Sequence, residues 1–366
     1  MSRFALDRRV FFFEEPVFED GQPHLRGSIC SKTGVRVYTP ILPPGLNRQE
    51  ISNLQNSLLE LMLGQNEVDD YMAWYYTPMA MEYAFTLRPK VTVYDCMDEL
   101  SAFSGAPAAM RHNEEALFAQ ADLVFTGGAS LFDSKRRQHP SAHLFPSSID
   151  FAHFAGARLI KRDPEDQAAL GRPRLGYAGV IDERMDLDLL RYVAGERPDW
   201  QIVLLGPIAK IDPASLPQAR NIHYLGMKPY AELPAYFSGW DIGMLPFALS
   251  ESTQFISPTK TPEYLAAGLQ VVSTPIRDVI SSYGDLDLVG IANGASEFIT
   301  VAESLLQRRQ DADFRDRADR FLSKSSWDRT WSNMNGLMEQ AYMSKYSPAV
   351  KRPPVADISA KGASHV

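Results

Sequence analysis

The feature that most constrains this chain is a series of short, almost continuously apolar runs separated by longer stretches of helical periodicity. In the first half the runs fall at 10–13, 35–38, 73–76, 91–94 and 123–126. In the second half they fall at 175–178, 202–205, 222–224, 242–245, 271–273 and 289–291. A strand with one face in water alternates apolar and polar residues, whereas a strand covered on both faces does not. The runs therefore predict parallel sheets flanked by helices, and segments 49–63, 113–120 and 302–322 carry helical pattern between or after them. Strand and helix in alternation give α/β units joined by right-handed crossovers.

Length sets the number of such units. Single cores stop growing near ~250–300 residues, and this chain has 366. Two α/β domains are expected. Charge and proline gather in 161–174, around Lys161, Pro164 and Pro173, and strand character restarts at Leu175. The expected division is an N-terminal domain over 1–168 and a C-terminal domain over 172–326. The segment 347–366, rich in Pro, Ala, Ser and Lys, lacks apolar periodicity and is expected to be a disordered tail.

Composition removes several function classes. A net charge of −8 argues against nucleic acid as a partner, because neutralising phosphates takes a clustered basic surface. Cys30 and Cys96 stand in unrelated contexts, so neither a disulfide framework nor a zinc site is expected. No apolar run approaches the ~20 residues of a membrane-spanning helix, and the first, from Val10 to Phe13, falls short of the ~7–15 of a signal-peptide core. The setting expected is soluble and cytoplasmic. A dehydrogenase is disfavoured, since no strand runs into G-x-G-x-x-G followed by an acidic residue.

Tandem α/β domains leave a cleft between them, and open α/β sheets bind ligands at the C-terminal ends of their strands. The richest segment there is 255–268. Ser257 before Pro258 and Thr261 before Pro262 each read as a helix start, and Gly268 as a stop. A helix N-terminus presents free N–H groups and a positive dipole end to an anion. Lys260 adds a full charge at that end, and Glu263 lies three residues on along the same face. A carboxylate in that position is able to accept both hydrogen bonds of a ribose diol, so the helix is suited to a nucleoside diphosphate. A capped surface helix with a Lys–Glu pair accounts for the spacing equally well. In the loop after strand 175–178, Arg184 either neutralises diphosphate or pairs with Asp182 or Asp186. Asp95 and Asp98, at the end of strand 91–94, either orient sugar hydroxyls and take a proton or cap the next helix. Gly127 and Gly128 read as a strand–helix turn, and the histidines show no metal-ligand spacing.

The run from Ser257 to Gly268, with the strand that follows, closely resembles the donor-binding helix of GT-B glycosyltransferases, particularly the retaining family 4 type, with its pattern Pro-x-Lys-x-x-Glu-Tyr-x-Ala-x-Gly. Similar as well are Asn221 to Gly226 with Tyr230 and Leu233, Trp240 to Phe247, Tyr94 to Leu100, Ala121 to Val124, and Ser326 to Trp331, so the resemblance runs over roughly residues 8 to 345. It implies two Rossmann-like domains facing across a cleft, with residues 327–346 forming a helix that packs back on the N-terminal domain. It implies transfer of a hexose from a UDP- or GDP-sugar to a hydroxyl acceptor, the partners being a nucleotide-sugar donor and a carbohydrate or lipid-linked acceptor. The implied setting is polysaccharide or glycolipid assembly at the inner face of the membrane, with no metal and no cofactor beyond the donor. By the same resemblance Glu263 binds the ribose. The N–H groups of Thr259 and Lys260, near Ser257, face the diphosphate, with Arg184 as one of the family's basic pair. Gly226 and Lys228 lie near the nucleobase.

Three departures stand out. The family's second glutamate, eight positions before Glu263, is Phe255, with Glu251 and Gln254 as nearby substitutes. The other member of the basic pair falls near Val180 and is absent. The third departure is at the start, where the N-terminal domain is expected to lack its first strand. Met1 to Leu6 reads as the tail of an amphipathic helix, and strand 10–13 follows at once. Two rival functions remain: a nucleotide-sugar epimerase, and a nucleotide-sugar-binding homologue without catalysis.

Overall fold

The computed structural model describes residues 1–308 and 311–346; the segment expected to be a disordered tail, 347–366, lies outside them. After a 3-10 turn at Phe4–Leu6, the chain forms β1 (Phe11–Phe13), β2 (Val17–Phe18), β3 (His24–Ile29) and β4 (Arg36–Leu42). β1 and β2 pair in parallel with β4, and β3 pairs with it antiparallel. The run at 35–38 became β4, but its hairpin partner β3 has no signal in the apolar pattern because it is mostly exposed and carries His24, Arg26 and Ser28. A capping box of Asn47 and Glu50 opens α1 (Arg48–Gln65).

A second sheet follows, made of β5 (Met72–Tyr75), β6 (Val91–Cys96), β7 (Leu123–Thr126) and β8 (Ala142–Leu144), parallel and in that order. Between its strands lie α2 (Met110–Gln120) and α3 (Ala129–Lys135). Every residue of β6 and β7 is buried, as their unbroken apolar runs predict. β6 continues past the expected end and takes Asp95 into the sheet. The first and second sheets share no ladder, and no strand among the described residues precedes Phe11.

Next come α4 (Phe151–Ala155), α5 (Glu165–Ala168), β9 (Arg174–Ala178), α6 (Leu187–Glu196), β10 (Gln201–Leu205), β11 (Ile222–Gly226), α7 (Leu233–Ser238) and β12 (Ile242–Leu245). The rest is α8 (Lys260–Ala267), β13 (Gln270–Ser273), α9 (Arg277–Tyr283), β14 (Gly290–Ile291), α10 (Ala295–Gln307), α11 (Ala312–Leu322) and α12 (Trp327–Tyr346). The single helical stretch expected at 302–322 is thus two helices. The third sheet is wholly parallel, in the order β11-β10-β9-β12-β13-β14. In chain order that is 3-2-1-4-5-6, the doubly wound arrangement whose crevice opens where the order reverses, between β9 and β12.

The chain crosses between its two halves earlier than the charged stretch suggested. Phe145 packs with the N-terminal sheet, but Ile149, Phe154 and Ala157 already belong to the core of the third sheet. The stretch that read as a linker instead covers that core. Arg174 pairs with Asp163 at 2.7 Å, and buried Gln167 accepts from Trp240 Nε1 at 2.9 Å and donates to the Tyr236 carbonyl at 3.1 Å. Its polar residues are there to satisfy buried groups, which composition alone does not distinguish from solvation. α12 returns to the N-terminal half, where Trp331, Met334 and Met338 pack with Phe4, Val91, Val93 and Phe125.

One ion cluster ties the second sheet to its helices. Lys135 is 1% exposed, and its Nζ lies 2.9 Å from both Glu99 and Glu114; Tyr94 Oη donates to Glu114 at 2.8 Å. Removing the cation leaves two largely buried carboxylates facing each other. Lys135→Ala is expected to cost about 3–5 kcal/mol of stability, read as a lower urea midpoint in tryptophan fluorescence; a midpoint within error of the parent would show that the cluster is solvated.

Candidate functional site

The reversal point of the third sheet brings two segments together: the turn after β9 and the N-terminus of α8. The helix begins at Lys260 with Thr259 as its N-cap. Ser257 and Pro258 do not start a helix, and Thr261 and Pro262 fall inside the first turn. Proline is tolerated there because the first turn has no intrahelical acceptor to lose. Gly268 closes the helix in the left-handed region at φ +83°. Tyr264 fixes the helix to the sheet by accepting the Ala178 N–H at 2.8 Å.

Lys260 lies across the turn at Gly179. A Cβ at Gly179 would sit 2.2 Å from Lys260 Cε, and its φ is +156°. Only glycine leaves room for the side chain there. The ammonium lies 5.7 Å from the Tyr177 ring centroid. Burial lowers the Lys260 pKa, with Glu263 opposing and Arg184 adding to the effect. Burial pushes Glu263 up to about 7, with Lys260 pulling it back. Among the described residues nothing donates a hydrogen bond to Glu263, and nothing accepts one from the amides of Thr259 and Lys260. Beside this carboxylate is Tyr230, whose pKa is raised to about 12 by burial first and then by Glu263 and Asp150. Its ring stacks on His153 at 4.4 Å between centroids.

Arg184 is held by Asp182, which accepts from Nε at 3.0 and 3.1 Å and from Nη2 at 2.6 Å. The salt-bridge reading of this arginine is therefore the one observed, and it orients the group without using Nη1. The guanidinium also lies 5.4 Å from the ring of Phe103, which comes from the other half of the chain. Asp98 joins the same cluster: burial raises its pKa, Arg184 and Lys260 lower it, and Asp182 raises it. The structure thus brings Asp98, Arg184, Lys260 and Glu263 into one charged group across the cleft.

Other expected site residues stand elsewhere. Asp95 parts from Asp98, because as a strand residue it points its carboxylate the other way. Its Oδ2 accepts from Trp74 Nε1 at 3.2 Å, and burial raises its pKa to about 6. Neither aspartate caps the following helix, which has no side-chain cap. Lys228 pairs with Asp166 at 2.5 Å, 5.2 Å from the Tyr236 ring centroid, so its charge holds the loop. Gly226 is exposed with φ +71° and open space around it. Ser257 faces Gly128, where a Cβ would lie 2.8 Å from Ser257 Cβ and 2.3 Å from Asp278 Oδ2. Gly128 is thus a point of close approach between the halves, beyond the strand–helix turn its sequence suggested.

Contacts across the cleft were not visible in the sequence. Asp278 Oδ1 accepts from the Ser130 amide at 2.9 Å and from its hydroxyl. Arg277 reaches Asp133 at 3.1 Å, and Glu183 accepts from the Ser104 amide at 3.1 Å. Phe255 packs against the N-terminal core, while Glu251 and Gln254 are exposed. None of these positions forms a spacing pattern, so only the folded chain pairs them. Among the described residues no group of three or more His, Cys, Asp or Glu is placed to hold a metal ion, and no helix is long and apolar enough to cross a membrane.

No family model matches the chain. Over 198 residues it is 25% identical to TuaH of Bacillus subtilis (strain 168), a glycosyltransferase assigned to teichuronic acid biosynthesis. The match takes in 51% of this chain and 48% of the relative, so the chain spans about half the length of the curated relative it matches. Sucrose-phosphate synthase from Thermosynechococcus elongatus shares the fold, with a TM-score of 0.71 over 94% of this chain and 91% of that one at 14% identity. HepE of Anabaena, solved in complex with UDP, superposes with a TM-score of 0.59 over 78% of this chain and 82% of that one at 13% identity. The architecture is the GT-B one, two Rossmann-like units facing across a cleft.

The raised pKa of Glu263 sets a pH dependence. Between its ordinary value of 4.5 and about 7, the folded chain binds more of this proton than the unfolded chain. Stability contributed by this group therefore falls as pH rises through that window. Glu263→Gln is expected to remove that decline, read as a flatter melting temperature between about pH 5 and pH 7; an unchanged slope would assign the decline to other groups.

Proposed function

We propose that this chain is a glycosyltransferase that moves a sugar from a nucleotide-sugar donor to a hydroxyl acceptor, with the donor held at the N-terminus of α8. The observation that carries the reading is the pair of Lys260 and Glu263: two half-buried, oppositely charged groups at one helix end, the carboxylate without a hydrogen-bond donor. Glu263 accepts the ribose diol, and the Thr259 and Lys260 amides take the diphosphate at the positive end of the helix. Tyr230, stacked on His153, borders the ribose and offers an aromatic face toward the nucleobase.

Chemistry follows from charge. The acceptor oxygen bonds to the anomeric carbon as the bond from that carbon to the diphosphate breaks, and the departing diphosphate gains negative charge. Lys260 and Arg184 offset that charge, the largest electrostatic task in the reaction. Asp98, coupled to both cations and raised by burial, orients a sugar hydroxyl or takes the acceptor proton. Retention of configuration belongs to this reading through the resemblance of the donor helix. The match to TuaH, assigned to teichuronic acid biosynthesis, supports an acceptor in polysaccharide assembly; a glycolipid acceptor and the inner face of the membrane belong to this reading through the resemblance of the sequence alone.

A second reading is a nucleotide-sugar-binding homologue without transfer. It is favoured by Phe255, which faces the N-terminal core where the resembling family has a glutamate. Appearance of a glycoside from UDP- or GDP-sugar separates the two. For the donor site itself, Glu263→Ala is expected to weaken UDP or GDP binding by about 1.5–3 kcal/mol, roughly 10- to 150-fold, the range for hydrogen bonds to a charged group. Titration calorimetry reads this; equal affinities for parent and variant would remove Glu263 from the site.

A further inference from the structure

Two strand edges in the N-terminal half face a common void. β1 pairs with β4 on one edge only, and β5 pairs with β6 on one edge only. A cavity of about 920 Å³ is lined by both strands. Leu59 and Met62 of α1 reach it, as do Phe4 and Met338. It is therefore a slot within the fold. Open strand edges are ordinarily shortened, charged or covered, because their unpaired N–H and C=O groups invite pairing. Here two edges border one apolar space.

A second, smaller cavity of about 390 Å³ adjoins the slot, sharing Met1, Phe4, Trp74 and Tyr76 with it. Two buried polar atoms at its wall have no partner: Asp95 Oδ1 and Trp331 Nε1. Asp95 is 5% exposed. One atom needs a donor and the other an acceptor, and a turn of backbone supplies both.

We propose that the slot seats one further β-strand, apolar throughout and parallel to β1 and β5, and that the turn after it fills the smaller cavity and pairs with Asp95 and Trp331. The occupant is polypeptide of the same chain, joined to Met1 through its amino group. Met1 lines both cavities, and burial lowers the pKa of its amine while the charge of Asp95 raises it. Asp95 lies at the C-terminal end of β6, the end at which a strand parallel to β5 leaves the sheet. Topology points the same way. With this strand in place the N-terminal order runs β4, β1, the added strand, β5, β6, β7, β8. Counting the added strand first and β3 as an antiparallel excursion, that is 3-2-1-4-5-6-7, the order β9 to β14 already have with one more strand at its end.

The test uses the protein purified from its native source, its intact mass and N-terminal sequence, and amide exchange at Phe11–Phe13 and Met72–Tyr75. The expected result is a chain longer than 366 residues, with an apolar run of about five residues ahead of Met1. Its edge amides are expected to exchange roughly 100-fold more slowly than those of the 366-residue chain made alone. A native chain whose first residue is Met1 overturns the assignment, whether a partner peptide, a second copy or nothing covers the slot. A longer chain with edge amides as fast as those of the 366-residue chain overturns it as well. Should the 366-residue chain not fold alone, a proline in the middle of the upstream run of the longer chain takes its place. Exchange unchanged by that proline overturns the proposal.

Discussion

The placement of Lys260 across the glycine turn after β9 is the contact on which the proposed donor site depends. An ammonium is driven from an apolar interior by its desolvation cost, so it stays only where compensating charge surrounds it. Gly179 gives the side chain space, Tyr177 gives it an aromatic face, and Glu263, Asp182 and Asp98 give it negative charge. Each of those neighbours is shifted in turn. Glu263 is raised toward neutrality by the same burial that lowers Lys260. On the proposed reading, an anion with a diol relieves both groups at once.

The same cluster joins the halves of the molecule. Arg184 is held by Asp182 from its own side and meets Phe103 from the other. Asp98 comes from the second sheet and is felt by Lys260 in the third. The remaining bridges are few and mostly exposed, as Arg277 with Asp133 illustrates. Exposed pairs are worth about 0–1 kcal/mol each. Buried Asp278 against Ser130, admitted by the bare backbone of Gly128, is the tighter hold. The halves are thus apposed by one buried carboxylate and by the charge cluster at the site itself, so what occupies the cleft bears directly on how the halves sit.

The apolar runs made the strands of the second and third sheets legible, because strands buried on both faces leave an unbroken signature. β3 and β8 left none: one is exposed and polar, the other is three residues of mixed character. The helix α8 was readable from Lys260, Glu263 and Gly268, but its start was not. Ser257 with Pro258 has the composition of a cap, yet the backbone there is irregular and Thr259 takes the cap position. The charged stretch before Leu175 looked like a linker and is a cover, since Asp163 pairs with buried Arg174 and Gln167 bonds buried Trp240, 73 residues on. Asp95 and Asp98 looked equivalent three residues apart. The extension of β6 through Cys96 separates them, leaving Asp98 at the cleft and Asp95 turned to Trp74.

The two halves differ in how completely they obey the doubly wound rule, and that difference locates the unusual chemistry of the molecule. In the third sheet β9 is central, paired on both edges, and its turn carries Gly179. The corresponding place in the N-terminal half lies between β1 and β5, and there the ladder is interrupted. A central strand of such a sheet delivers the loop that faces the crevice. The C-terminal half has that loop in Gly179 to Arg184. On the opposite side, the residues that reach toward the C-terminal half come from later strands: Asp98 after β6 and Gly128 after β7. On the proposed reading, nucleotide recognition therefore rests on Lys260, Glu263 and Arg184 of the C-terminal half, with Asp98 as the charged group that the N-terminal half adds beside them.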